Sequence, residues 1–189
     1  MRRLLLFISM ISLVYAEFDK VATTAAPFLK MGVGGRAAAM GGSFVSLADD
    51  ASALFWNPAG MLGVNSVTVA ASHNDWLLDI THDYVGLILP GRKNERIGFS
   101  ISALTMGDQP VRTLENPEGT GLVYNVMDLA ISTAYARQIT DRLSVGFTGK
   151  FIQLNAYNES ASTMAIDVGS LLRTDFYGLR IGMALSNFG

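Results

Sequence analysis

Few side chains in this sequence are of a type that performs chemistry. Asp49 and Asp50 are adjacent carboxylates that could form an acid–base pair or bind calcium. No further acids follow at calcium-loop spacing. An aspartate at the N-cap of a short helix, with good helix formers after it, suits the site better. His73 and His82 are the only histidines, and neither has a partner at metal or triad spacing. The run Gly32-Val33-Gly34-Gly35-Arg36-Ala37 fits a loose dinucleotide fingerprint. That chemistry requires a buried strand before the glycines and a βαβ unit around them. Pro27-Phe28-Leu29-Lys30 is too short to be that strand, and no crossover follows, so tight backbone packing explains the glycines. With no cysteine, thiolate metal sites, disulfides and cysteine nucleophiles are excluded. Asn158-Glu159-Ser160 is a glycosylation sequon, which carries meaning only with eukaryotic export. No nucleophile elbow, phosphate loop or zinc motif is present. The reading is a non-enzymatic protein with no cofactor and no metal.

Of the 189 residues, 50% are hydrophobic and 16% charged, with a mean hydropathy of +0.32. Disordered chains combine low hydrophobicity with high charge, so disorder is excluded. Fourteen basic against sixteen acidic residues give a net −2, which leaves no basic footprint for nucleic acid.

Met1-Arg2-Arg3 is a positive leader, Leu4 to Val14 an apolar run, and Val14-Tyr15-Ala16 a small-residue cleavage signal before Glu17. Residues 1–16 therefore read as a secretory signal peptide cut between Ala16 and Glu17. The apolar run is too short for a transmembrane anchor, which needs about 20 residues. Cleavage leaves twelve basic and sixteen acidic residues, a net −4. No later stretch has the length of a membrane helix. An exported chain this apolar is explained if it crosses a membrane as strands, because only helices and closed barrels satisfy every backbone group in lipid.

From residue 65 onward the chain alternates with a period of two, predicting seven strands near 65–72, 82–90, 96–105, 127–138, 142–154, 163–174 and 178–187. Leu179, Ile181, Met183 and Leu185 oppose Arg180, Gly182, Ala184 and Ser186; Val145, Phe147 and Phe151 oppose Ser144, Gly146, Thr148 and Lys150. In a soluble sandwich the second face would carry lysine and glutamate, which also protect edges. Here that face is mostly Gly, Ala, Ser and Thr, with Lys150, Asp167, Arg173 and Arg180 as isolated charges. Large residues toward lipid and small ones toward a lumen fit a membrane barrel. Asp83 and Arg137 share the apolar face, at strand ends where a headgroup layer tolerates charge.

Short links at Gly91–Asn94, Ile139–Asp141 and Asp175–Tyr177 alternate with longer ones at His73–Ile80, Thr105–Asn125 and Asn155–Ser160. Outer-membrane barrels alternate in this way, and Trp76, Tyr124, Tyr157, Phe176 and Tyr177 fall where aromatic girdles lie. Seven antiparallel strands cannot close alone, since the first and seventh run in the same direction. The expectation is the front half of a larger barrel, or a barrel closed by several copies.

Residues 17–64 differ, being rich in small residues that would pack inside a barrel mouth, with a short helix after Asp49-Asp50 ended by Pro58. Phe28-Leu29-Lys30-Met31-Gly32-Val33-Gly34-Gly35-Arg36-Ala37, Met40-Gly41-Gly42-Ser43-Phe44-Val45, Ala48-Asp49-Asp50-Ala51-Ser52-Ala53 and Trp56-Asn57-Pro58-Ala59-Gly60 resemble the PorV/PorQ family, itself similar to FadL-type transporters. The resemblance implies a fourteen-stranded outer-membrane barrel with an N-terminal hatch. Gly41, Gly42, Asp49, Asp50 and Asn57-Pro58-Ala59 would form the hatch motif. It further implies a role in type IX secretion, with membrane lipid, secreted cargo proteins and secretion-system components as partners. The alternative is passive transport of a hydrophobic ligand in the FadL manner.

Overall fold

The computed structural model describes residues 26–77 and 79–189. The signal-peptide expectation, with Ala16 and Glu17, lies outside them. Seven strands form one sheet: β1 (Thr68–Asp75), β2 (Ile80–Pro90), β3 (Glu95–Pro110), β4 (Val123–Gln138), β5 (Leu143–Ala156), β6 (Glu159–Arg173) and β7 (Arg180–Phe188). Each strand pairs antiparallel with the next, in the order β1 to β7. The sheet is not closed: β1 and β7 are its two edges. Among the described residues no helix is long and apolar enough to cross a membrane.

The period-two pattern produces two unlike faces. On β5 the even residues from Ser144 to Ile152 are buried, while Phe147 and Phe151 are exposed. On β6 the phase is reversed, and Ala165, Asp167, Gly169 and Leu171 are buried. The outward face of the sheet exposes Val85, Phe99, Ile131, Phe147, Ile166 and Ile181, as a barrel wall would.

The inward face is covered by residues 26–64. These form a 3-10 turn (Pro27–Lys30), helix α1 (Gly35–Ala39), helix α2 (Ala53–Trp56) and a second 3-10 turn (Pro58–Gly63). Phe44, Leu54 and Met61 are fully buried and cluster with Ile88, Ala134 and Ala136 of the wall. Phe28 and Leu29 cluster with Ala130, Ile152 and Ala165. Each large side chain so buried contributes about 1.5–3 kcal/mol, which holds segment and wall together as one core.

Four expectations need correction. Strand β1 begins at Thr68 rather than residue 65, because Val64 is buried in the segment's cluster and its carbonyl accepts from Arg96 Nε at 2.6 Å. The alternation of long and short links does not hold. At one end the links are 76–79, 111–122 and 157–158; at the other they are 91–94, 139–142 and 174–179. The polar ends of β3 to β6 continue the ladders, with Pro110 facing Val123 and Ala156 facing Glu159. Where both faces of a strand see water, apolar alternation vanishes although pairing continues. The third correction concerns α2: Ser52 rather than an aspartate stands at its N-cap, with no side-chain cap, and Pro58 opens the following 3-10 turn. Asp50 instead accepts from the Ser52 backbone N–H at 2.8 Å, in a local turn. Finally, the inward face is not small throughout. Toward the 111–122 link it carries Leu104, Met106, Val126, Ile152 and Leu154.

Candidate functional site: the junction of segment and wall

Asn57 leaves α2 in an extended conformation (φ −165°) and is fully buried. Its side-chain amide donates to the Val45 carbonyl at 2.9 Å and to the Ser170 carbonyl of β6 at 3.0 Å. Its Oδ1 accepts from the Ala59 N–H at 3.1 Å. Both N–H groups and the oxygen are thus used, as a buried amide requires. One side chain caps the 3-10 turn, ties two parts of the segment together and fastens both to the wall. Pro58 and Ala59 then lie against β5 and β6, where only glycine fits. A Cβ on Gly146 would fall 2.5 Å from the Pro58 carbonyl carbon, and one on Gly169 would collide with Asn57 Oδ1. Tyr84 adds a bond from its hydroxyl to the Ala51 carbonyl at 3.1 Å.

Beside this clamp lies a buried ion pair. Lys150 Nζ is 2.7 Å from Asp167 Oδ2, and the two residues are 7% and 1% exposed. Lys150 also donates to Asn187 Oδ1 at 2.7 Å, and the Asn187 backbone N–H donates to Asp167 Oδ1 at 2.7 Å. Asn187 has φ +60° at a bulge where Ser186 and Asn187 together oppose Asp167. A cavity of about 300 Å³ adjoins the group, lined in part by Leu29, Lys30, Phe55, Trp56, Lys150 and Asn187.

At the exposed border of the segment, Arg36 bonds Asp49 at 2.7 Å and Asp50 at 3.3 Å, and Arg180 of β7 comes within 3.8 Å of Asp49. The Asp49 hydrogen bond, then its charge, raise the Arg36 pKa above the ordinary guanidinium value. Gly41 and Gly42 both have positive φ in the turn after α1.

The structure therefore divides the seven hatch-motif residues and the four isolated charges. Asn57, Pro58 and Ala59 meet the wall; Asp49 and Asp50 face Arg36 at the border; Gly41 and Gly42 shape a turn. Lys150 and Asp167 form the buried pair. Arg173 and Arg180 face each other in register at the end of the sheet nearer the 174–179 link. Asn187, Ser170, Tyr84 and Arg96 were not singled out by sequence. Arg96 and Tyr84 share the phase of Gly98 and Gly86, a signal that was available; the others act through backbone or through a bulge. His73 does have acid partners: register brings it opposite Asp83, 2.6 Å from its Nδ1, with Asp75 3.2 Å from Nε2. Among the described residues no group of three His, Asp or Glu side chains could hold a metal.

The ends of the sheet differ in charge. Around the 76–79, 111–122 and 157–158 links the wall carries Asp75, Asp79, Asp83, Asp108, Glu115, Glu118 and Glu159, against Arg112 alone among its described residues. The opposite end carries Arg92, Lys93, Arg96, Arg137, Arg142, Arg173 and Arg180 on the wall, against Glu95, Asp141 and Asp175. At the acidic end a cleft of about 600 Å³ is lined by Gln109, Pro110, Val111, Arg112, Tyr124 and Tyr157.

No curated protein matched the chain in comparison. A family model described as the type IX secretion system protein PorV matches residues 15–189. With all seven strands and the clamped segment inside that match, the chain belongs to the PorV family of type IX secretion proteins.

Proposed function

We propose that this chain works in type IX secretion as an outer-membrane barrel wall that receives cargo proteins and passes them on at the cell surface. Residues 1–16 would export it as a signal peptide, and residues 26–64 would serve as a seated hatch. The observation that carries the reading is the outward face of β2 to β7. It exposes large apolar side chains along the middle of the strands, while most of the opposite face there is covered by the chain's own segment. Water penalises such a face and acyl chains do not. In lipid the free edges of β1 and β7 need partner strands, from more chain or from further copies. Cargo would meet the long 111–122 link and the cleft beneath it. Co-purification of the full-length protein in detergent with a cargo's C-terminal signal domain tests this reading. Retention of the domain supports it; its loss in the wash overturns the cargo role.

A second reading, passive passage of hydrophobic molecules in the FadL manner, is favoured by the large apolar side chains of the inward face, where Leu104 and Leu154 pack against the hatch cluster and Met106 and Val126 continue the face toward the 111–122 link. Uptake of a labelled fatty acid by cells making the complete protein would distinguish the two.

A further inference from the structure

We propose that the rim formed by the 91–94 and 139–142 links and their strand ends is a docking surface for anionic phospholipid headgroups, so that this end of the wall faces the anionic leaflet. The inference rests on the membrane reading above. Arg92, Lys93, Arg137 and Arg142 are exposed there. Arg142 pairs with Asp175, and Arg137 lies 3.9 Å from Glu95. Arg92 and Lys93 have no acidic partner among the described residues.

Position along the strands is the second argument. Ile97 and Tyr135 face each other in register on the outward face, and Glu95 and Arg137 are the next outward pair. Two residues of strand span about 6.8 Å, so on β3 and β4 the charges begin that far beyond the Ile97–Tyr135 pair. Val145 opposite Arg137, then Leu143, Leu172 and exposed Ile139, carry the apolar face on beside them. Long basic side chains can lay their stems on that face and lift their charge into the headgroup layer. Phe176 and Tyr177, exposed and in edge-to-face contact at 4.9 Å, lie on the 174–179 link at the same end of the sheet, aromatic residues of the kind that settle at a membrane interface. The acidic opposite end would repel the same lipids, so the two rims together orient the wall.

Spin-labelled lipids report this directly in the full chain reconstituted into phosphatidylcholine bilayers. At low salt, labelled phosphatidylglycerol should be immobilised about fivefold more than labelled phosphatidylcholine. R92Q/K93Q/R137Q should bring the ratio close to one, as should about 1 M salt, where the Debye length is near 3 Å. E115Q/E118Q, at the other end, should leave the ratio unchanged. A wild-type ratio of one, or a ratio that survives the triple substitution, overturns the proposal. If neither lipid is immobilised, the chain is not in the bilayer and the membrane reading itself fails.

Discussion

The segment 26–64 is fastened to the wall by two kinds of polar contact. At Asn57 the amide is fully buried and every donor and acceptor is used, on Val45, Ser170 and Ala59. At Asp49 the contact is ionic, with Arg36 of the same segment and with Arg180 of the wall, and every partner is more than a third exposed. The ionic contact carries more formal charge, yet water competes for it from both sides, and exposed pairs contribute about 0–1 kcal/mol. Buried groups have no such substitute, so losing one partner leaves the other with its full desolvation cost. What distinguishes the two contacts is whether solvent can replace a lost partner.

The comparison can be tested by substitution, with unfolding of the reconstituted protein in denaturant as the measurement. Lys150→Met should have the largest effect, about 3–5 kcal/mol of destabilisation, because it leaves Asp167 charged and buried. The double variant K150M/D167L should recover most of that loss; if it does not, the pair is needed for more than charge balance. Gly169→Val comes next, at roughly 3 kcal/mol or more, since its side chain would meet Asn57 Oδ1, which is held by its own hydrogen bond, and the rigid Pro58 ring. Limited proteolysis should then cut within residues 26–64 while the strands stay intact. Asn57→Ala should cost about 2–3 kcal/mol by stranding the Val45 and Ser170 carbonyls. Asn57→Asp should fare no better, because its carboxylate would face those two carbonyls without a donor. Arg36→Gln should change stability by less than about 1 kcal/mol. A loss there as large as that of Asn57→Ala would break the distinction drawn between buried and exposed ties.

The strands were legible because lipid-scale amphipathicity writes itself as alternation. Phe147 beside Gly146 and Thr148 states which face is which without any partner being known. The clamp was only half legible. Asn57-Pro58-Ala59 stood out through family likeness, but the Ser170 carbonyl that Asn57 reaches is 113 positions away, and any residue type can offer a carbonyl. The Asp49-Asp50 pair was read as a helix cap from local preference alone. The tertiary positions of Arg36 and Arg180 redirected Asp49, and a local turn took Asp50. The link lengths misled for the same reason that the strand cores succeeded: beyond the apolar band, Asn155 to Ser160 carry no alternation although they pair.

By itself the sequence determined the period, the faces of most strands and the small-residue character of the segment, since all three follow from local spacing and side-chain size. Only the tertiary structure decided that Lys150 meets Asp167 and Asn187, that Asn57 spans from segment to β6, and that acids and bases collect at opposite ends. Those outcomes depend on strand register and on a bulge at Asn187, where a shift of one residue turns every side chain to the other face. Local propensity does not encode such a choice; the packing of segment 26–64 against Gly146 and Gly169 selects it.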